Sequence, residues 1–303
     1  MTVRIVTDTL SDLPPKLVRE LRVRVVPLNL HFGAEVFRDT VDITTDDFYK
    51  RLMAKEVFPT TSAPGPGNFV ELYTELARET DSILAIMTSG KISAVGQSAL
   101  QAKGMLKVGC RIEAIDTQLV AGSLLLVVVE AAEMAKAGAS LDQCLAAVKD
   151  CMPRSHIRMA FDTLEYLRRG GRIGRARALL GSLLKVHPIL GLKDGEAFPY
   201  GRARNRAGAV EALLAFARSF PRIEKMAVED ATTPEEADAL VERLGAIFPK
   251  ERIYRTKVSP VFGAHVGPHV LGLAVLEGKK EAGDIPVPVA QKANVLATSP
   301  SVP

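Results

Sequence analysis

The chain alternates short apolar runs with amphipathic segments, and small polar residues follow each run. Residues 3–6 predict a buried strand that ends in Thr-Asp-Thr and leads into a helix through residue 21. Residues 82–87 and 111–115 predict two more strands, each followed by a helical pattern. Such alternation is typical of a mostly parallel sheet with helices on its faces, where ligands bind beyond the carboxyl ends of the strands.

The second half of the chain repeats this alternation less regularly and adds a hairpin. An Asp-Gly pair at residues 194–195 separates two apolar runs, which predicts a tight hairpin turn. The other predicted elements are strands at 23–30, 156–161, 225–228, 252–258 and 270–276, helices at 46–53, 178–184, 209–216 and 234–248, and a polar excursion at 31–45. We therefore predict two α/β domains, a mostly parallel Rossmann-like N-terminal sheet (1–160) and a second mixed-sheet domain (161–277), followed by a disordered tail (278–303).

Composition excludes several classes of protein. The net charge is only +4, aromatic residues are few and tryptophan is absent, so the sequence shows no obvious stacking platform of the kind that single-strand nucleic-acid binders use, and we expect no nucleic-acid partner. Its three cysteines show no paired spacing, which argues against a disulfide framework or a structural zinc site. The longest apolar segment, 119–132, is too short to span a bilayer. We expect a cytoplasmic protein without a metal, whose contact with membranes is at most transient.

Residues 60–69, with the sequence TTSAPGPGNF, predict a binding loop. Three hydroxyls, two prolines and two glycines interrupt the amphipathic pattern there, directly before a predicted helix. Free amides at a helix N-terminus favour an anion, and the hydroxyls can donate to it. The alternative is an ordinary capping loop, in which Thr and Ser bond their own backbone.

A second hydroxyl-rich strand end occurs at residues 88–93. Ser89 and Gly90 predict a tight strand-to-helix turn, and Ser93 is placed as the N-cap of the next helix. The N-termini of two helices that follow neighbouring strands could bind one anion between them. A plain helix cap at Ser93 remains the alternative.

Two glycine-containing stretches complete the candidates. In residues 263–268, GAHVGP, glycines flank His265 in a predicted loop, where it is available to a ligand or serves as a structural histidine. Residues 170–174, GGRIG, could form a phosphate-cradling turn but lack the spacing of the standard nucleotide motifs. Neither GxSxG nor HExxH is present.

The order of these motifs resembles the DegV family of fatty-acid-binding proteins. The resemblance rests on residues 6–13, 60–64, 89–94, 167–173 and 263–268, and it covers residues 3 to 277. It implies two α/β domains with a buried acyl chain and its carboxylate at their junction. Residues 94–96 (Ala-Val-Gly) and Gly65 depart from the common family pattern, which leaves the ligand length and the carboxylate contacts open.

Site residues follow from the resemblance by position. Thr61 and Ser62 would hydrogen-bond the fatty-acid carboxylate, Ser93 would assist, and His265 would complete the polar end. Residues that could form part of the pocket or its turns are Thr60, Ser89, Gly90 and Phe262.

The resemblance also implies a partner. Family members are similar to the binding subunit of bacterial fatty acid kinase, which presents the carboxylate to a separate ATP-binding protein for acyl-phosphate formation. The chain would then be a carrier without a cofactor of its own and not the catalyst. Arg172 and Arg204 would serve partner docking or handling of the acyl phosphate, and the alternative is that both are ordinary solvated arginines.

Two other functions stay open from the residues alone. One is a phosphoryl-transfer or hydrolytic enzyme that uses Ser93 or Ser62 with His265 as base, which needs the two groups within hydrogen-bonding distance. The other is a sensor that binds a small anion at the sheet edge. A sensor pocket would be shallow and basic, whereas a fatty-acid carrier needs a long apolar cavity with one polar end.

Overall fold

A computed structural model describes residues 2–54, 56–106, 109–180 and 186–279. Its strands are β1 (Arg4–Asp8), β2 (Arg24–Val26), β3 (Asn29–Phe32), β4 (Glu35–Arg38), β5 (Thr60–Ser62), β6 (Ser82–Met87), β7 (Arg111–Asp116), β8 (Ser155–Ala160), β9 (His187–Lys193), β10 (Glu196–Ala203), β11 (Ile223–Asp230), β12 (Ile253–Lys257) and β13 (Leu271–Glu277). Its helices are α1 (Pro15–Glu20), α2 (Thr45–Ala54), α3 (Pro66–Leu76), α4 (Val95–Met105), α5 (Ala121–Lys136), α6 (Leu141–Cys151), α7 (Glu165–Arg169), α8 (Arg206–Arg218), α9 (Pro234–Leu244) and α10 (Pro260–Val266).

The first sheet has four parallel strands in the order β2-β1-β6-β7. Its central strands are apolar along most of their length, and residues 83–87 of β6 are fully buried. Burial on both faces is expected of a parallel sheet covered by helices. The predicted mostly parallel N-terminal sheet is confirmed.

The second sheet has six strands in the order β10-β9-β8-β13-β11-β12 and is mixed, because only β11 and β12 pair in parallel. The mixed second sheet is therefore also confirmed. β8 lies before the predicted domain division at residue 160 but pairs with β9 and β13 in this sheet. The domain boundary remains a proposal, and the pairing of β8 with the second sheet would place that boundary before residue 155. Residues 280–303 of the predicted tail lie outside the described residues.

Helix α5 is the layer shared by the two sheets. It contacts β1 on one side and β8, β11 and β13 on the other, and most of its residues are buried. A Cβ at Gly122 would lie 2.9 Å from the Cβ of Ala274, so glycine allows the helix to approach the second sheet closely. The apolar segment at 119–132 forms most of α5, and its apolar side chains are buried between the two sheets. No helix in the described part of the chain is long and apolar enough to cross a membrane.

A third, small antiparallel sheet, in the order β4-β3-β5, corrects two predictions. The polar excursion at 31–45 contains the end of β3, a turn at Gly33 (φ +62°) and β4. The predicted binding loop begins as a strand, because Thr60–Ser62 pairs with β3. β-branched threonines favour extended backbone, and pairing with β3 satisfies their amide and carbonyl groups.

Other local predictions had mixed outcomes. The turn at Asp194 and Gly195 is confirmed, with φ of 53° and 80° as a tight hairpin turn requires. His265 lies in helix α10 and not in a loop, because the apolar residues around it are all buried. The helix predicted at 178–184 is wrong over its described part, since Gly174–Leu179 forms a 3₁₀ helix; residues 181–184 lie outside the described residues.

Candidate functional site

An apolar cavity lies between the two sheets. Its volume is about 120 Å³, roughly ten times the space that one water molecule needs. Apolar side chains from both halves of the chain form most of its wall: Leu10, Leu28, Val120, Ile157, Met159, Phe161, Leu167, Leu190, Leu192, Val261, Phe262 and Val266. Phe262, a candidate pocket residue from the sequence, is among them.

The four residues assigned to the carboxylate all line this cavity. We call Thr61, Ser62, Ser93 and His265 the head-group cluster. Thr61 Oγ1 lies 2.8 Å from His265 Nε2, although 204 residues separate them in sequence. The structure thus brings β5 and α10 together at the wall of an apolar cavity.

His265 is 8% exposed, and its second ring nitrogen, Nδ1, has no hydrogen-bond partner within the described residues. Burial, with a smaller effect of the Arg172 charge, lowers the pKa of His265 to about 4. The imidazole is therefore neutral at pH 7. A Cβ at Gly170 would lie 2.2 Å from Nδ1, so the glycine-rich turn after α7 makes room for this ring.

Ser62 has two further partners that the sequence did not indicate. Its Oγ lies 2.9 Å from His31 Nε2 and 3.4 Å from Asn29 Nδ2. Strand alternation places these three side chains on one face of the small sheet, while Thr61 and the buried Leu30 take the other face. The signal in the sequence was the alternation of residues 29–32, Asn-Leu-His-Phe, within what we predicted to be a strand end and a polar excursion.

Ser93 is not the N-cap that we predicted. Helix α4 begins at Val95 with Ala94 as its N-cap, and Ser93 Oγ accepts a hydrogen bond of 3.3 Å from the Val95 amide. The reason is that residues 89–93 form turns of their own, since the Ile92 and Ser93 amides both donate to the Ser89 carbonyl. Residues 92–94 line the cavity, but the first residues of α3 do not. Only one of the two predicted helix N-termini therefore faces the cavity.

Three candidate pocket residues do not line the cavity: Thr60, Ser89 and Gly90. Ser89 Oγ donates a hydrogen bond of 2.6 Å to the Gly195 carbonyl, which joins the first sheet to the hairpin of the second. The Gly90 amide donates to Asp116 Oδ2 at 3.1 Å. Their roles in the structure are those of turn and junction residues.

Comparison with known proteins now identifies the family. The profile of the DegV family, described as uncharacterised proteins, matches residues 2–278. The chain belongs to the DegV family. A DegV domain-containing protein of Halalkalibacterium halodurans is 34% identical over 276 residues, covering 90% of this chain and 97% of that protein. The protein DegV of Bacillus subtilis is 30% identical over 280 residues, covering 90% and 98%.

Solved DegV structures share this fold. The chain superposes on a fatty-acid-binding DegV family protein from Thermus thermophilus with a TM-score of 0.84 and 34% identity, covering 91% of this chain and 100% of that one. It superposes on DegV of Bacillus subtilis, a fatty acid binding protein, with a TM-score of 0.82 and 28% identity, covering 91% and 100%.

The two candidate docking arginines of this DegV chain differ in position. Arg172 lines the cavity and is exposed; it donates to the Ile92 carbonyl (Nε, 3.1 Å) and the Gly170 carbonyl (Nη1, 2.9 Å). Arg204 is also exposed, directly after β10, but does not line the cavity. Only Arg172 is brought to the head-group cluster.

A second polar group of the DegV chain lies buried nearby, and we call Asp8, Asp12, Asp39 and Glu229 the acid cluster. Asp8 accepts hydrogen bonds from the Thr88 amide (2.9 Å) and hydroxyl (2.8 Å). Asp12 accepts one of 2.9 Å from the Ser259 amide, just before α10. Within the described residues, none of the four carboxyls forms an ion pair, and both oxygens of Asp39 lack hydrogen-bond partners.

Burial raises the pKa of every carboxyl in the acid cluster: to about 6 for Asp8, to about 7 for Asp39, and well above the ordinary range for Glu229. The pKa of Asp12 is raised for the same reason, with smaller contributions from Asp39 and Asp8. Protonated carboxyls avoid a large uncompensated buried charge. Among the described residues, no group of His, Cys, Asp or Glu is arranged to hold a metal ion.

Proposed function

We propose that this DegV chain binds a long-chain fatty acid, with the acyl chain in the apolar cavity and the carboxylate at the head-group cluster. The observation that carries the proposal is the cavity itself, whose wall is mostly apolar and includes the hydrogen-bonded pair Thr61 and His265. Solved relatives that bind fatty acids share the fold over their whole length, which supports the same ligand class here.

The head-group cluster suits a carboxylate because it offers donors without a buried cation. Neutral His265 can donate from Nε2 to Thr61 Oγ1, which leaves the Thr61 proton for the ligand. Ser62 and Ser93 can add hydroxyl donors. Hydrogen bonds to a charged group are worth about 1.5–3 kcal/mol each, so two or three of them fix the orientation of the carboxylate.

The acyl chain would supply most of the affinity. Burial of roughly a dozen methylenes at about 0.8 kcal/mol each gives on the order of 10 kcal/mol before the entropy of binding is subtracted. Gly191 also lines the cavity, and glycine is needed there for close packing of β9 on β8, since a Cβ would lie 2.4 Å from the Ile157 carbonyl. Specificity for chain length would then be set by the residues at the far end of the cavity.

We further propose that the chain presents the carboxylate, in the cytoplasm, to a separate ATP-binding kinase protein that catalyses acyl-phosphate formation. The sequence has none of the standard nucleotide motifs, which is consistent with a carrier and a separate catalyst. In this proposal Arg172, which is exposed and lines the cavity, would meet a partner or an acyl phosphate, and Arg204 would contribute to docking from its exposed position after β10.

The alternative functions find less support in the geometry. His265 Nε2 contacts Thr61 and neither of the two candidate serines, and no acidic side chain in the described residues orients its Nδ1. A Ser/His nucleophile built on His265 therefore lacks its required contact. A small-anion sensor would not need a wall made mostly of Leu, Ile, Val and Phe side chains.

Native mass spectrometry of the freshly purified protein, followed by identification of the molecule released on denaturation, tests the proposal. We expect one fatty acid per chain. A phosphorylated or sugar-like ligand would favour the sensor. A protein that is empty and does not take up hexadecanoate after delipidation would contradict fatty acid binding.

A further inference from the structure

We propose that the fatty acid enters and leaves the cavity between the turn at residues 89–94 and the β9–β10 hairpin, and that a hydrogen bond from Ser89 to Gly195 holds this route closed. The inference rests on the proposed fatty acid binding and adds to it an entry route and a residue that controls it. Ser89, a candidate pocket residue from the sequence, then acts on the rate of ligand exchange and not on the ligand itself.

The exposed side of the cavity lies where segments from the two halves of the chain face each other. The wall residues from β8, α7 and α10 are all buried. The wall residues that are half-buried or exposed come from the end of β5, the turn at 89–94, Arg172 and the hairpin: Thr61, Ser62, Ala63, Ile92, Ala94, Arg172, Leu192 and Ala197. A ligand that passes on this side displaces no buried core strand or helix.

The proposed route is apolar on both of its sides. Ile92 and Ala94 line the cavity from the turn, and Leu192 and Ala197 line it from the hairpin. An acyl chain can move along such a surface without loss of its apolar contacts. The neighbouring exposed part of the wall, at residues 61–62, belongs to the head-group cluster and suits the carboxylate instead.

Ser89 joins the two sides of this route. Its Oγ donates to the Gly195 carbonyl at 2.6 Å and accepts from the Lys91 amide at 3.2 Å, and the side chain is fully buried. Gly195 lies in the hairpin turn, and Leu192 and Ala197, on either side of it, are cross-strand partners. Separation of the hairpin from the turn at 89–94 therefore breaks this hydrogen bond.

Other contacts of the hairpin oppose its movement less. Arg175 pairs with Asp194 at 3.0 Å and with Glu196 at 2.8 Å, but all three belong to the second half of the chain, so these ion pairs need not break. Arg172 does donate across the route to the turn at 89–94, but it is exposed, so water can replace that contact. The buried serine contact is therefore the one whose loss changes the opening most.

Loss of this contact has a kinetic signature. One neutral hydrogen bond corresponds to about a two- to tenfold change in an equilibrium constant. Ser89 does not line the cavity, so a bound ligand does not replace its hydrogen bond. When a local opening precedes both entry and exit of the ligand, its facilitation raises both rate constants by the same factor and leaves Kd unchanged.

Stopped-flow fluorescence on delipidated protein measures both rate constants. The probe is cis-parinarate, a fatty acid that fluoresces in apolar surroundings; mixing gives the association rate constant, and displacement by excess hexadecanoate gives the dissociation rate constant. The first variant is Ser89→Ala. Ser155→Ala is its matched control, because Ser155 Oγ also donates a buried hydrogen bond, of 2.7 Å to the Ser123 carbonyl, and does not line the cavity.

Gly195→Ala tests the same contact from the hairpin side. A Cβ there would lie 2.6 Å from Ser89 Oγ and 3.2 Å from the Gln118 Cβ, so the methyl group pushes the hairpin away from the turn. Gly33→Ala is its control, because Gly33 also has a positive φ, 62° against 80°, but open space around it. Both alanines carry the same kind of backbone strain, and only one of them meets Ser89. Circular dichroism and urea unfolding confirm that each variant is folded.

We expect Ser89→Ala to raise both rate constants by about two- to tenfold with Kd changed by less than about twofold, and Gly195→Ala to raise them at least as much. Both controls should change the rate constants by less than about twofold. Unchanged rate constants in folded Ser89→Ala overturn the inference, as does a change in only one of the two or an equal acceleration by Ser155→Ala. If the wild type binds neither cis-parinarate nor hexadecanoate, the proposed function fails and this inference fails with it.

Discussion

The head-group cluster and the acid cluster are both groups of polar side chains near the junction of the two sheets, but they differ in burial and in the balance of donors and acceptors. The head-group cluster consists of hydroxyls and a neutral imidazole, so it has protons to give. The acid cluster consists of carboxyls that already take the nearby amide and hydroxyl protons and still leave oxygens without partners.

We propose that this difference separates a ligand site from a structural one. A buried polar group does not by itself mark a binding site, because it can be satisfied or neutralised within the fold. A site for an anion needs donors in excess of the acceptors around them. Of the two clusters, only the first contributes side chains to the wall of the apolar cavity.

The largest expected effect concerns the acid cluster. The pKa of Asp39 is raised from 3.8 to about 7, so the folded chain holds more protons than the unfolded chain between those pH values. The free energy of unfolding must therefore fall as pH rises from about 4 to about 7. We expect Asp39→Asn to match the wild type near pH 4 and to exceed it at pH 8 by at most about 4 kcal/mol, measured by urea unfolding.

Asp42 provides the matched control for Asp39. It is exposed, and hydrogen bonds from Arg38 lower its pKa to about 2, so its small contribution is present above pH 4 and is lost as pH falls toward 2. Asp42→Asn should therefore leave the slope between pH 4 and 8 unchanged. If Asp39→Asn is less stable than the wild type at pH 8, the acid cluster does not store protons as we infer.

The next effect concerns the two neighbouring threonines of β5. Thr61 faces His265 and the cavity, whereas Thr60 is exposed and does not line it. Thr61→Val removes the hydroxyl at nearly constant volume, and we expect hexadecanoate affinity to fall by a factor of about 10 to 100. Thr60→Val, titrated in the same calorimetry series, should change it by less than about twofold. Equal effects of both substitutions would remove the distinction between the two strand faces.

A smaller effect is expected at the glycine that makes room for His265. Gly170→Ala puts a methyl group against Nδ1, which must displace the ring and lengthen the Thr61 contact. We expect about a tenfold loss of affinity. Gly67→Ala, in open space on α3, should bind normally and unfold at an equal or higher temperature. Normal binding by Gly170→Ala would show that His265 is not held by this turn.

The smallest effect is a predicted absence of titration. With a pKa of about 4, His265 stays neutral from pH 8 down to about pH 5, so its ring signals in NMR spectra should not shift over that range. His265→Gln identifies the signals. Because the folded pKa lies below the ordinary value of 6.5, His265 lowers stability only as pH falls below that value. A titration midpoint near 6 or above would contradict a buried neutral imidazole.

Much of this architecture could be predicted from the sequence because strand alternation is a local signal. The parallel sheet and the turn at Asp194 and Gly195 follow from apolar runs and from residues with restricted backbone preferences. The β3–β4–β5 sheet could not be predicted, since its strands are short and polar on one face. We predicted a loop around His265 because glycines flank it. Its helix, α10, is fully buried by residues that are distant in the sequence, and the local pattern gives no sign of that packing.

The candidate site was predictable in its residue types more than in its contacts. The hydroxyls of residues 60–62 and 93 indicated an anion site, and family resemblance indicated which of them to choose. Nothing local indicated that Ser62 would meet His31 and Asn29. The acid cluster was missed for the same reason, because Asp12 and Glu229 come together only when the two sheets are packed.

The separation of 204 residues between Thr61 and His265 has a consequence for synthesis of the protein. At about 5–20 residues per second, roughly 10–40 seconds pass on the ribosome between the two residues. During that interval a growing chain carries the first sheet and its hydroxyls without the histidine that orients them. Under the proposed function, the carboxylate site is therefore complete only in a chain whose last helix, α10, has already been made.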